Sequence, residues 1–171
     1  FSIQGNAGNS FVFAIYDGTN ICTINSGIAF DGALHHFACV ANINERKIKL
    51  YKDGALIGEA AYTITSSTAN SGTIYIGNRF RFDRPFKGTI DDVRIWNVAR
   101  TQQQIQDNMN KELIGNESGL VGYWKLNEGA GTIANDSTVN NNDGTIYGAS
   151  WVDFGEATGI QAGISNDGKI Y

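Results

Sequence analysis

Ser10 to Tyr16 is a nearly continuous apolar run, the pattern of a strand covered on both faces. Asp17-Gly18 then predicts a turn, and Ile21 to Asn25 a returning strand. Phe37 to Ala41 reads as another buried strand. From Lys47 to Lys52 the lysines alternate with Ile48 and Leu50, which turns the apolar pair inward and the ammonium groups outward, ahead of an Asp53-Gly54 turn. Leu56 to Thr65 is weaker and edge-like. Thr73 to Gly77 alternates again, with Ile74 and Ile76 on one face and Thr73 and Tyr75 on the other. Ile90 to Trp96 predicts a strand, Leu120, Trp124 and Leu126 share a parity that places them in the core, and Ala149 to Phe154 predicts the last strand.

One stretch departs from this period. Thr101 and Gln104 stand at the spacing of a capping box, and Ile105 and Met109 lie one turn apart on one face, which predicts a single short helix near 101–110. Trp96, at the end of the preceding strand, is expected to pack on that helix through Ile105. The pattern as a whole predicts an all-β fold, a two-sheet antiparallel β-sandwich pinned by one helix.

Composition narrows the picture. With 171 residues, 42% of them hydrophobic and 18% charged, the chain suffices for one well-buried core. Its 21 glycines and single proline fit short strands joined by tight turns. A formal net charge of −4 argues against general nucleic-acid or membrane-surface binding. No apolar run reaches the roughly 18 residues a membrane span needs, so no membrane insertion is expected.

Three motifs in order carry a resemblance. Gly88-Thr89-Ile90-Asp91-Asp92-Val93-Arg94-Ile95-Trp96, a short link and a small helix form the first. Leu34-His35-His36-Phe37-Ala38-Cys39-Val40 with Lys49-Leu50-Tyr51-Lys52-Asp53-Gly54 forms the second, and Gly119 to Gly129 with Asp136-Ser137 and Asn142-Asp143-Gly144-Thr145 the third. Together they resemble the laminin-G-like and pentraxin-like jelly rolls of the concanavalin A-like lectin/glucanase superfamily. The resemblance implies a jelly roll over residues 1–154, with the family's opening strands expected to precede Ser2-Ile3-Gln4, and a linker or tail over 155–171. It also implies a module of a larger secreted or cell-surface bacterial protein, with other domains of the same chain as neighbours. Asp167 to Tyr171 is faintly similar to the entrance of C-terminal sorting domains of exported Bacteroidetes proteins.

The superfamily contains glycoside hydrolases, and retaining hydrolysis wants two carboxyl groups about 5–5.5 Å apart. Its glucanases carry an E-x-D-x-x-E or E-x-D-x-E strand. Here Glu45, Glu59, Glu112, Glu117, Glu128 and Glu156 each stand alone, so no catalytic residues and no enzyme activity are expected. His35 and His36 are adjacent and in a strand point to opposite faces, the pattern of a hydrogen-bonded histidine at a strand start. Cys22 and Cys39 form either a disulfide or, slightly preferred, two buried thiols. Pentraxin-like members have a cysteine at the position of Cys39, whose partner there lies in a strand this chain is expected to lack.

Calcium enters through two stretches. Asp91 shares parity with Val93 and Ile95, and a carboxylate beginning an inward row needs either backbone N–H partners or a cation. The loop from Asn135 to Gly144 is rich in oxygen donors and resembles a family loop often close to Ca²⁺, although turn chemistry alone explains its Asn and Asp content. Asp136 and Asp143, with Asp91 and Asp92 behind them, are the expected donors if structural Ca²⁺ is bound. Where pentraxins carry calcium-ligating acids, this chain has Arg79, Arg81 and Arg84. Extending the parity of Ile74 past Gly77 turns Phe80 and Phe82 to the core and lines Tyr75, Arg79 and Arg81 on the other face. That set suits a glycan, above all an acidic or sulfated one, because rings stack on C–H faces and guanidinium groups grip anions. Trp151 is the tryptophan least committed to the core. The expected function is a carbohydrate-binding, lectin-like module contacting polysaccharide through Tyr75, Arg79, Arg81 and Trp151; the alternative is an adhesion or spacer domain with a protein partner.

Overall fold

A computed structural model describes residues 2–5, 10–17, 19–29, 31–64, 72–78, 81–82, 85–152 and 163–165. The fold is mostly β, with several antiparallel sheets and one short helix. The chain divides into two compact units, residues 1–72 with 99–112, and residues 73–98 with 113–171.

In the first unit, β1 (Ser2–Gly5), β2 (Ser10–Tyr16) and β3 (Ile21–Ala29) form one antiparallel sheet, and β4 (Phe37–Asn42), β5 (Lys47–Lys52) and β6 (Ala55–Ala61) form another. The predicted bounds of β2 and β5 agree with those observed, and β3 runs further than Asn25. Each hairpin is closed by local chemistry. Asp17 Oδ1 accepts from the backbone N–H groups of Thr19 and Asn20, and Asn42 Oδ1 from that of Glu45. Asp53 and Gly54 both take positive φ, 49° and 74°, as a two-residue turn between twisted strands requires.

Apolar side chains of both sheets meet in one cluster of Phe13, Ile15, Cys22, Ile24, Ile48, Leu50, Tyr62 and Ile64. Ile48 and Leu50, the inward pair of the lysine-rich strand, are 0% exposed. Both cysteines are free thiols. Cys22 Sγ lies 3.2 Å from Thr63 Oγ1 and accepts the Thr63 N–H, while burial pushes the Cys39 thiol up to about 12.

The helix, α1 (Gln102–Asn108), starts at the predicted capping box: Thr101 Oγ1 accepts from the Gln104 N–H, and Gln104 Oε1 from the Thr101 N–H. Ile105 is buried with Val40 and Tyr51 on the outer face of β4 and β5. Gln102 and Gln106, one turn apart, both donate their amide N–H to the Gly54 carbonyl, at 2.9 and 3.0 Å. The β5–β6 turn is thereby the seat of the helix.

The same turn is held from the other side by His35, which confirms the hydrogen-bonded reading of that residue. Its Nδ1 lies 2.7 Å from Asp53 Oδ2 and its Nε2 2.9 Å from Asp31 Oδ2, with the Lys52 ammonium 3.6 Å from Asp31. Asp53 Oδ1 also accepts the His36 N–H, and the Asp53 N–H donates to the His36 carbonyl. Hydrogen bonds to Asp31 and then Asp53 raise the imidazole above its usual value.

The second unit is built from shorter ladders. β8 (Val93–Trp96) pairs with β9 (Leu120–Trp124); β10 (Ile133–Ala134) pairs with β11 (Gly144–Thr145); and β7 (Thr89–Ile90), β12 (Ser150–Val152) and β13 (Gly163–Ser165) form a third sheet in the order β12-β13-β7. The predicted strand from Ile90 to Trp96 is interrupted because Asp92 adopts a φ of 50°, stepping Asp91 and Asp92 out of the ladder. Trp124, Leu126 and Ala134 form one cluster, with Ile90, Val93, Ile95, Ile146 and Trp151 against it. Trp96 packs with Leu113, Leu120 and Tyr123.

The alternation at Thr73 to Gly77 forms no ladder among the described residues, and Ile74 and Ile76 are 53% and 37% exposed. A period of two reports an extended backbone, and a strand also needs a hydrogen-bonding neighbour. β13, by contrast, lies inside the predicted tail.

Two expectations follow for the first unit. Leu50→Ala removes fully buried methyl groups and lowers unfolding free energy by about 2–5 kcal/mol in urea titrations. Because His35 is raised in the folded state, the stability it contributes is complete below about pH 6.5 and is lost as pH rises through the folded value. The pH dependence of the urea midpoint should therefore flatten in His35→Gln, and an imidazole NMR titration should give a midpoint above the usual one.

Candidate functional site

Tyr75 and Phe82 form an exposed aromatic pair in the second unit. Their ring centroids are 5.6 Å apart at 83°, an edge-to-face contact, and the residues are 43% and 45% exposed. Arg81 is exposed beside Phe82 in sequence. Phe82 sits at a φ of 54°, an uncommon conformation for an aromatic residue that costs roughly 1 kcal/mol. The prediction had Phe82 facing the core. Gly77 explains the difference: its φ of 80° breaks the extended backbone, so the parity of Ile74 and Ile76 cannot be carried across it. Arg79 lies outside the described residues.

Trp151 is half-buried against the Trp124 cluster, and its indole N–H donates to the Gly131 carbonyl at 2.9 Å. Tyr75, Arg81 and Trp151 all belong to the second unit, but only Tyr75 has its ring in the exposed pair.

The acidic residues are engaged in turns and pairs. Asp136 is 7% exposed and accepts from the backbone N–H groups of Tyr123, Thr138 and Asn142 at 3.0, 2.9 and 2.9 Å, and from the Thr138 hydroxyl and Asn142 amide at 3.0 and 3.2 Å. Burial opposes its ionisation, but the N–H bonds from Thr138, Tyr123 and Asn142 outweigh it and hold the carboxyl below its usual range. Asp143 Oδ1 accepts the Asp136 N–H at 2.8 Å. The Asn142 carbonyl, in turn, accepts the Trp124 indole N–H. Asp92 is gripped on both oxygens by Arg94, at 2.7 and 2.6 Å, and that guanidinium lies 5.2 Å from the centroid of the Tyr123 ring.

Asp136 is already committed to its loop rather than open to Ca²⁺. A cation of this kind takes roughly 6–8 oxygen ligands, whereas N–H groups already point at both Asp136 oxygens. Among the described residues no group of three or more His, Cys, Asp or Glu side chains converges as a metal site.

A laminin-G-type family model described as the concanavalin A-like lectin/glucanases superfamily matches residues 1–106. The chain belongs to this superfamily. It is also similar to a crystal structure of a presumed carbohydrate binding protein from Bacteroides ovatus, with a TM-score of 0.60 and 26% sequence identity. The likeness covers 80% of this chain and 40% of that one, so the chain spans less than half of the solved relative. No curated protein sequence matches it. Among the described residues, no helix is long and apolar enough to cross a membrane.

Two carboxylates of this superfamily member stand apart, Asp91 and Glu128, the latter with its Oε2 buried without a partner. Asp91 Oδ1 is buried without a hydrogen-bond partner, and burial, with the Asp92 charge adding to it, pushes the group up to about 6. Ionised Asp91 therefore carries an energetic cost: the wild type gains stability as pH falls through about 6, because the folded state binds the proton more tightly. Asp91→Asn should raise stability at pH 8 by about 1–2 kcal/mol, discounted for partial solvent exposure, and the gain should vanish below about pH 4. Asp136→Ala leaves three backbone N–H groups without their acceptor and should cost about 3–5 kcal/mol, read by chemical denaturation.

Proposed function

We propose that this domain is a non-catalytic carbohydrate-binding module that holds glycan at the exposed Tyr75–Phe82 pair, with Arg81 beside it. The aromatic pair carries the reading. Two large rings left in solvent at a right angle, in a loop that bears a backbone strain, offer an apolar face and an edge to a pyranose ring. The Arg81 guanidinium adds donors for sugar oxygens or for a carboxylate or sulfate substituent. Membership of a lectin/glucanase superfamily and likeness to a presumed carbohydrate binding protein support the same reading. Export to the cell surface and attachment to further domains fit a polysaccharide-binding role. The contact needs no calcium.

The case against hydrolysis rests on how the acids are engaged. Asp92 and Asp136 are saturated by an arginine and by N–H donors, and Glu45 and Glu59 each pair with a lysine. A second reading draws on Ile74 and Ile76, whose exposure beside Tyr75 widens the apolar surface toward what a protein partner would cover.

Retention on affinity gels containing neutral, uronic and sulfated polysaccharides separates the two. Tyr75→Ala and Phe82→Ala should each weaken retention about tenfold, and Arg81→Ala should weaken it mainly on anionic gels. EDTA should change neither retention nor melting temperature. Retention on no polysaccharide, or retention indifferent to Tyr75 and Phe82, would overturn the assignment, and reducing-sugar release from any of these gels would overturn the non-catalytic reading.

A further inference from the structure

The outer face of the β4-β5-β6 sheet carries more than its helix. Where Ile105 seals one part of that face against Val40 and Tyr51, a cleft of about 230 Å³ opens beside it, walled by the chain that leads from Ala99 into Gln102. The floor is apolar, formed by Val40, Tyr51 and Leu56, and Leu56 is 45% exposed. The rim is charged, with Glu45, Lys49 and Glu59 from the sheet and its turn, and Arg100 from the wall.

We propose that this cleft is a second glycan subsite that takes one neutral pyranose unit. The inference rests on the carbohydrate-binding reading and deepens it. Size sets the first limit: pockets for drug-sized ligands run to roughly 300–1,000 Å³, so this one accepts a single ring. Charge sets the second. Both rim carboxylates are already paired with lysines, Glu45 with Lys49 and Glu59 with Lys47, so a charged ligand would have to compete with those pairs. A hydroxyl both donates and accepts, so a ring of hydroxyls can give protons to Glu45 and Glu59 and take them from Lys49 and Arg100.

Preorganisation is the third argument. Lys49 is paired to Glu45 and Glu59 to Lys47, which fixes side chains that would otherwise lose rotamer freedom on binding. Thr101 and Gln102 are fixed by the capping box and by the bond to Gly54. With its C–H face on Leu56, the exposed part of the floor, a pyranose turns its hydroxyls toward this rim.

The test is a backbone amide NMR titration with the methyl glycosides of glucose, galactose, mannose and N-acetylglucosamine, alongside methyl glucuronide. Saturable shifts at Val40, Leu56, Glu59 and Thr101 with a neutral glycoside are expected. Leu56→Trp, which sets an indole on the exposed part of the floor, should weaken them about tenfold, and Glu59→Gln should weaken them several-fold without filling the cleft. Preference for the glucuronide would overturn the neutral assignment. Shifts confined to residues 75–82, with polysaccharide retention intact, would overturn the cleft and leave the carbohydrate-binding reading standing. Absence of wild-type retention on every polysaccharide gel would overturn that reading and the subsite with it.

Discussion

Asp136 is a buried carboxylate that accepts five hydrogen bonds, three of them from backbone N–H groups, and the second unit depends on that exchange. Its ladders are two to five residues long, too short to satisfy many main-chain groups by pairing alone. The carboxylate collects the N–H groups of Tyr123, Thr138 and Asn142, and so ties the end of β9 to the loop before β11. Asp143 repeats the device one step on by accepting the Asp136 N–H. The path is tight: at Gly115, with a φ of 99°, a Cβ would lie 2.0 Å from the Ser137 carbonyl oxygen, so a side chain there would collide with the same loop.

The first unit solves its equivalent problem at the Asp53-Gly54 turn. A single carbonyl, that of Gly54, accepts from Gln102 and Gln106, while His35 and the His36 N–H hold the Asp53 carboxylate on the other side. A helix of seven residues is too short to stand on its own propensity, and its place is set by Ile105 in the Val40–Tyr51 cluster together with those two amides. No side chain fits over the turn either, since a Cβ on Gly54 would lie 2.6 Å from Gln106 Cγ.

What could be read from the sequence was what depends on neighbours in the chain. The inward pair Ile48 and Leu50, the capping box at Thr101 and Gln104 and the buried Trp124 all follow from local periodicity or spacing. The failures share a cause as well. Ile74 and Ile76 alternate as a strand does, but alternation carries no information about whether a partner strand lies alongside. Phe82 was turned to the core by extending that alternation through Gly77, where a positive φ resets the direction of every following side chain. The Asn135–Gly144 loop was legible in composition and ambiguous in chemistry, for oxygen-rich side chains serve a cation or an amide equally well. Only the positions of the N–H groups decide between them.

The contrast between the fully bonded Asp136 and the exposed rings of Tyr75 and Phe82 bears on the proposed function. Asp136 is committed to closing its loop, and a cation entering there would have to displace hydrogen bonds on which the loop depends. Large apolar side chains left in water carry a standing cost that burial would remove, and Tyr75 and Phe82 carry it in a loop where Phe82 is already strained. A glycan suits such a surface better than a tightly bound ion does, because its C–H faces cover rings while its hydroxyls remain hydrated, and the affinity gained per contact is small. The free energy available for such binding lies where the structure has left apolar surface uncovered.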